Sequence, residues 1–546
     1  MKVPKTCVGL LLAMGLSLAA ALNPTGLSAQ TGVPFPDAST PRPVDLGPLV
    51  TQTGPTPLSV TVALRLRSPN EAESLMKALH TPGNSQFHRF LSPAEFAARF
   101  GPAEGDVAKV VSQLATYNLK AQRTSTTTLK VTGSPANLER AFAVSLHAYR
   151  VPAHGSTRAY TFHAPVGHPS IPSEMNGSVA AIAGLDTHPT FHPLHMVAPK
   201  AMRTAPRSAS RSAAPAATGN DPGFLTVADF ASLYDVKPLY QNGVTGHGRT
   251  LGIVTLASFT PSDAFAYWSA LGLTVDPGRI QIVNVDGGPG APSDESGSIE
   301  TTLDVEQSGG IAPGAKIIVY QAPNTSQGFV DAFATAIDSN SADSISVSWG
   351  LWEWLQNLEN SPVTDPITGQ TVGVLQAFHE LFVRAAIQGQ TLFSAAGDAG
   401  AYDLNGNFGC NTETTPACNI TLSVDNPSSD TAITAAGGTT LPGLQEYCLN
   451  AACTPPFYAI NIPRERVWGW DYLNGLCAAL GAPDPIACGT FPGGTGGGVS
   501  VLFPKPEYQD SIPGTRHSEQ HQKFVYDGTL YYSLPGNYVG RNVPDI

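Results

Sequence analysis

Between residues 250 and 395 the chain alternates five short apolar runs with helix-like stretches, and this pattern restricts the fold more than any other feature. The apolar runs are Thr250–Ala257, Ile280–Val285, Lys316–Gln321, Ser344–Trp349 and Thr391–Ala395. The helical stretches between them are Pro261–Leu271, Ser298–Gln307, Phe329–Ser339 and Gly373–Gln388. Strands joined by helices cannot pair as hairpins; they lie parallel, with the helices covering both faces of one sheet. In such an α/β architecture, ligands and chemistry collect at the carboxyl ends of the strands.

The preceding residues read differently. Leu58–Arg67 alternates apolar and polar side chains as a half-buried strand does. Helix-like Glu71–His80 follows, and Ser92-Pro93-Ala94-Glu95 supplies a capping residue, a first-turn proline and a capping glutamate for a helix through Phe100. Further segments are a helix at Glu104–Tyr117, a strand at Thr126–Val131, a helix at Pro135–Val144 and a hairpin around His154-Gly155. The mixture predicts a compact α+β domain ending near Leu185. Residues 199–222, rich in Ala, Ser, Arg and Pro, hold almost nothing that could anchor a core and read as an exposed, protease-accessible linker.

Charge divides at the same place. Residues 1–222 carry 19 Lys/Arg against 11 Asp/Glu, and residues 223–546 carry 11 against 31, so a +8 segment precedes a −20 segment. The acidic part is no nucleic-acid binder, and opposite charge suggests that the first part binds the second. Only 13% of residues are charged, while Gly (54) and Pro (47) are abundant, as in loop-rich extracellular proteins. The N-terminus joins two lysines, an apolar run from Val8 to Leu22 and small residues before Gln30, the layout of a secretory signal peptide. The run is too short to span a bilayer. Beyond Cys7, the six cysteines lie between Cys410 and Cys488. Local pairs Cys410–Cys418, Cys448–Cys453 and Cys477–Cys488 close the smallest loops; a metal site lacks CxxC spacing.

Three carboxylates stand out. Glu300 and Asp304 are four apart in a helical stretch, which puts both on one face, where they repel and raise one pKa if buried. Spacing alone favours a solvated helical face. Asp398 follows an apolar strand, between Gly397 and Ala399-Gly400, where turn chemistry competes with function. Gly493–Gly498 lacks the Lys-Ser/Thr ending of a phosphate loop. Trp349, Trp352 and Trp354 line a cleft or fill a loop, and His247 reads as a turn residue.

With these residues in view the chain resembles the sedolisins, or serine-carboxyl peptidases, and their kumamolisin-like branch. In the first domain the resemblance rests on Phe87–Gly101 and Leu129–Phe142. In the second it rests on Glu300-x-x-x-Asp304, Ile311–Ala315, Ser344–Gly350, Ala395–Asp398, Gly437-Gly438-Thr439 and Gly496–Pro504. It implies a subtilisin-like parallel-sheet catalytic domain preceded by an α+β, ferredoxin-like activation prodomain. The corresponding organisation is a signal peptide at 1–29, a prodomain at 40–190, a linker at 191–222 and a peptidase domain at 223–546. It further implies Glu300 as general base, Asp304 as its orienting partner and Asp398 as oxyanion stabiliser of a secreted, acid-acting endopeptidase. Protein or peptide substrates and the chain's own prodomain, as intramolecular inhibitor, would be its partners, without a membrane anchor. The family's nucleophile sits in Gly-Thr-Ser-x-x-x-Pro downstream of Arg-x-x-Pro-Asp. Here Arg541–Asp545 is followed only by Ile546, and no Gly-Thr-Ser occurs. The expectation is therefore a C-terminally incomplete, inactive peptidase domain, with the family's calcium ligands also beyond Ile546. The alternative is a non-catalytic, peptide-binding relative. Ser500, in Gly498-Val-Ser-Val-Leu-Phe-Pro504, mimics the serine spacing but belongs to a different, Gly-rich segment and reads as structural.

Overall fold

The computed structural model describes residues 43–546 apart from 55, 154–157, 168, 197–201, 204–224, 354–362, 365–370, 405–420 and 527–528. The signal-like segment, most of the Arg/Ala/Ser-rich stretch, Trp354 and the pair Cys410–Cys418 lie outside the described residues.

The alternating pattern folds as one six-stranded parallel sheet in the order Ile280–Asn284, Lys316–Gln321, Thr250–Thr255, Ser344–Val347, Thr391–Ala395, Thr434–Ala436. From Thr250–Thr255 the chain goes first to the edge strand Ile280–Asn284, returns to Lys316–Gln321 beside it, and then crosses to grow the sheet outward on the other side, so the direction of growth switches at this central strand. Helices Pro261–Ala270, Ser298–Ile311, Ser326–Ser339 and Val374–Gln388 connect the strands. The last two bury an aromatic seam, Phe329, Phe333, Phe378 and Phe382, against the sheet. Trp268 and Val305 fill the other face with Ile253, Ile317 and Val319.

The first domain is mixed α and β, as its pattern predicts. A four-stranded antiparallel sheet has the order Lys120–Arg123, Thr128–Gly133, Leu58–Leu64, Val179–Ala183. A second sheet joins Val44–Pro48, Ser145–Val151 and Tyr160–Val166, the last two flanking the expected hairpin turn. Ser92 caps Pro93–Phe100 with the reciprocal Glu95 contact that the sequence announced.

This domain packs on helices Ser326–Ser339 and Val374–Gln388. Leu66, Leu75, Leu79, Phe96 and Phe100 share a core with Val383 and Ile387. The polar contacts are mostly neutral donors meeting buried carboxylates: Thr61 Oγ1 donates to Asp331 at 2.6 Å and the Leu66 amide to Glu380 at 2.8 Å. Lys130–Asp286 and Lys77–Glu507 have the polarity that net charge suggests, whereas Glu73 meets His379 with the polarity inverted. Apolar burial and hydrogen bonds to carboxylates thus accompany charge attraction in holding the two parts together.

After Ala183 the chain crosses onto the carboxyl edge of the parallel sheet. Phe191 packs edge-on against Phe329, and His192–Pro193 adds an antiparallel strand to Trp349–Trp352. Residues 191–196, read from sequence as the start of an exposed linker, therefore include well-buried Phe191 and Leu194. No helix among the described residues is long and apolar enough to cross a membrane.

Candidate active site

Three strand ends build the site. Strand Ser344–Val347 leads into Ser348-Trp349, strand Thr391–Ala395 into Ala396-Gly397-Asp398, and helix Ser298–Ile311 opens beside the end of Thr250–Thr255. That helix is fixed by Thr301, whose hydroxyl bonds Thr255 Oγ1 at 2.7 Å and the Ala257 carbonyl at 3.1 Å. Glu300 lies in its first turn, where the helix dipole favours a carboxylate, and is 2% exposed. The N-cap Gly297 has φ +86°, and a Cβ there would meet the Trp349 ring at 2.7 Å, so glycine lets the helix start against the indole. Trp349 and Trp352 are both buried; Trp349 Nε1 donates to Thr255 Oγ1 at 3.0 Å.

Asp304 sits one turn after Glu300. Its Oδ1 accepts from Ser348 Oγ at 2.9 Å, while buried Oδ2 has no hydrogen-bond partner. Burial first, and the Glu300 charge second, push the Asp304 carboxyl well above its usual range. Asp398 responds in the same way: burial and then Glu300 raise it to about 7, against an opposing pull from His195. The three carboxylates singled out in the sequence are therefore electrostatic neighbours, and Asp304 and Asp398 are biased toward the protonated form.

The loop carrying Asp398 is located by backbone-to-backbone packing. Gly496 N donates to the Gly397 carbonyl at 2.6 Å, and Gly494 N to the Asp398 carbonyl at 2.9 Å. A Cβ on Gly496 would lie 1.6 Å from the Ala396 carbonyl oxygen. The glycine run thus serves close chain approach. Ser500, in the following strand, is fully buried and donates to Glu353 Oε2 at 2.7 Å while accepting the Phe503 amide at 2.8 Å. It is a structural hydroxyl. His247 lies exposed in a turn between Gly246 and Gly248, both at positive φ.

The structure adds residues that sequence reasoning missed. His195 Nδ1 lies 2.6 Å from Glu300 Oε2, and this contact raises the His195 pKa. Leu194 N donates to the Ser348 carbonyl at 2.8 Å, and His192 pairs with Gly350. His192, Asp403 and Asp425 present ligand-type atoms within 4.8 Å of one another. Both Asp425 oxygens and one Asp403 oxygen are buried without hydrogen-bond partners, and a Cβ on Gly350 would strike the Asp425 carboxylate at 2.2 Å. One imidazole and two carboxylates do not match the six to eight oxygen ligands that calcium takes. The cluster is therefore no calcium site, and no step of the chemistry passes through it. No motif spacing advertised these residues; only the fold joins position 192 to positions 403 and 425.

Residues 51–188 match the family described as "Pro-kumamolisin, activation domain". Kumamolisin of Bacillus sp. (strain MN-32) is 29% identical over 93% of this chain and 75% of its own length. Sedolisin of Pseudomonas sp. (strain 101) is 29% identical over 84% of this chain and 68% of its own. Among solved structures, Pseudomonas sedolisin complexed with two molecules of pseudo-iodotyrostatin is 25% identical, covers 58% of this chain and 75% of that one, and superposes with a TM-score of 0.39. The matched activation domain and two relatives aligned over most of their length agree with the ordered motifs from Phe87 to Pro504, and on that footing the chain is similar over most of its length to the sedolisins, the serine-carboxyl peptidases.

Proposed function

We propose that the chain is a secreted, acid-acting serine-type endopeptidase proenzyme of subtilisin-like fold, in which Glu300 is the general base, Asp304 positions it and Asp398 stabilises the oxyanion. The observation that carries this reading is the peptide segment seated at the carboxylates. His192–Leu194 is held as an added strand along Ser348–Gly350, and the next residue, His195, touches Glu300. A polypeptide bound in this way presents its Leu194–His195 bond to the three carboxylates.

The electrostatics suit acid chemistry. A carboxylate base stays available at a pH where histidine is already charged. A carboxyl raised to about 7, as at Asp398, keeps its proton in acid and can donate a hydrogen bond to an oxygen acquiring negative charge. In the reaction, Glu300 accepts the proton of a serine hydroxyl as that oxygen attacks the peptide carbonyl, and Asp398 donates to the resulting oxyanion. Ser348 ties the parts together, since its hydroxyl holds Asp304 and its carbonyl holds the peptide at Leu194.

The serine must come from a Gly-Thr-Ser-x-x-x-Pro segment, which these 546 residues do not contain. The 546-residue chain accordingly stays intact at pH 4 by intact-mass analysis. A chain continued through such a segment loses its first domain, and Glu300→Gln abolishes that loss. Self-processing of the 546-residue chain would overturn the nucleophile assignment. Persistent inactivity of the continued chain, with retained peptide binding, would favour a non-catalytic peptide-binding protein.

A further inference from the structure

Beyond Gly438 the chain builds a small lobe beside the parallel sheet. Strands Gly443–Cys448 and Phe457–Ile462 form a hairpin whose turn is closed by Cys448–Cys453. Short helices at Asn474–Ala479 and Pro485–Cys488 are stapled by Cys477–Cys488. Hairpin and helices share one apolar cluster around Tyr447, Trp470, Leu473 and Leu476.

That cluster includes a residue from far away in sequence. Met202 is 7% exposed and packs within it. The neighbouring Arg203 carbonyl accepts the Cys448 amide at 2.8 Å, and Arg203 Nη1 donates to the Ala451 carbonyl at 2.7 Å. Among the described residues Gly443–Cys448 pairs on one side only, with Phe457–Ile462. The Cys448 amide therefore points away from the hairpin partner and meets the Arg203 carbonyl as a strand edge meets an added peptide. The same polypeptide lies at Glu300 through His195. Eight residues separate His195 from Arg203, a reach of up to about 26–29 Å for an extended chain.

We propose that the lobe of residues 443–488 is an exosite for the downstream side of a bound polypeptide. It takes an apolar side chain at the eighth residue after the bond presented to Glu300, and bonds the backbone of the next, basic residue. Met202-Arg203 is the occupant supplied by the chain itself; a substrate replaces it with an extended segment of the same chemistry. The inference rests on the reading of the Glu300 cleft as the peptide seat, and its test separates the two by measuring binding without catalysis.

The receptor is the full chain with residues 189–206 replaced by a Gly-Ser sequence of equal length, its folding checked by a cooperative melt. The probe is a fluorescent synthetic peptide of residues 189–206. Two others are compared with it: the same peptide carrying Met202→Asp, and one ending at residue 198. Losing a buried methionine contact weakens binding about tenfold or more, so both altered peptides should bind at least that much more weakly. Equal affinities of all three would overturn the exosite and leave the cleft reading standing, whereas no binding by any peptide would overturn both. Should the replaced chain not fold, hydrogen exchange in the otherwise intact chain reads the same contact. Met202→Asp then speeds exchange at the Cys448 amide, and an unchanged rate would overturn the exosite.

Discussion

Replacing Asp304 by Asn should stabilise the protein at neutral pH while removing one carboxyl of the candidate active site. Asp304 is partly exposed, but its carboxyl oxygen Oδ2 is buried; Oδ1 accepts one hydrogen bond from Ser348, and the group lies one helical turn from Glu300. Where the fold holds that carboxyl protonated beside Glu300, each pH unit above its unfolded value costs the native state about 1.4 kcal/mol. Asparagine removes that term and keeps an acceptor for Ser348. Its amide N–H groups inherit the unpartnered position of Oδ2, which costs about 1 kcal/mol. The net expectation is a gain of up to about 4 kcal/mol at pH 7.5. The sign follows from linkage. A carboxyl raised in the folded state leaves the native protein most stable below the unfolded value of 3.8 and less stable as pH climbs toward the folded value. At pH 4 the unfolded carboxyl is itself close to half protonated, and the advantage of Asn largely disappears. Urea unfolding followed by tryptophan fluorescence at the two pH values measures the difference. If Asp304→Asn destabilised the protein equally at both, Asp304 would be an ordinary structural hydrogen-bond acceptor, and the charge argument would fail.

The same linkage predicts a whole-chain trend. Asp398, Asp403 and Glu353 are each raised to about 7, chiefly by burial, so stability should fall between pH 4.5 and pH 7.5. His188, lowered to about 4 by burial, opposes the trend below pH 6.5, so a melting temperature lower at pH 4.5 than at pH 7.5 would show that the imidazole outweighs the carboxylates. Burial lowers the His379 pKa, but Asp430 and then Glu73 outweigh it and hold the ring charged with a pKa of about 10. Asp430→Asn leaves that charge with only its half-exposed partner and should cost about 3 kcal/mol, against under about 1 for Glu73→Gln; chemical denaturation of the two variants at pH 7 gives the ranking. Replacing Cys477 and Cys488 by Ala should cost about 2–3 kcal/mol. Hydrogen exchange should localise that loss to residues 443–488, and a loss spread evenly over the parallel sheet would contradict an autonomous lobe.

The fold was legible wherever one periodicity dominated. Strands such as Lys316–Gln321 and Thr391–Ala395 lie where the apolar runs place them, because a strand buried on both faces admits little but apolar residues. Glu300, Asp304 and Asp398 stood out because two share a helix face and the third follows a strand, but the roles proposed for them come from the family resemblance and not from spacing. The order of the sheet was not legible, since nothing local to Thr250–Thr255 says that later strands grow from both its sides. Nor was the packing of Phe191, Leu194 and Met202. Each is a single apolar residue near a polar, proline-rich stretch, and only partners such as Phe329 and the 443–488 lobe, far away in sequence, make its burial worthwhile. Of the three local disulfides expected, the two within the described residues are formed.

Gly496 sets how much error the Asp398 loop can tolerate. Side chains at a packing interface can change rotamer and absorb a small error, but here one main chain rests directly on another, with 2.6 Å between the Gly496 nitrogen and the Gly397 oxygen. The seating of Asp398 consequently has almost no mechanical slack. A single methyl at position 496 would act as a shim under the Asp398 loop, altering the angle at which its carboxyl faces the cleft while leaving every ionisable group of the candidate site in the sequence.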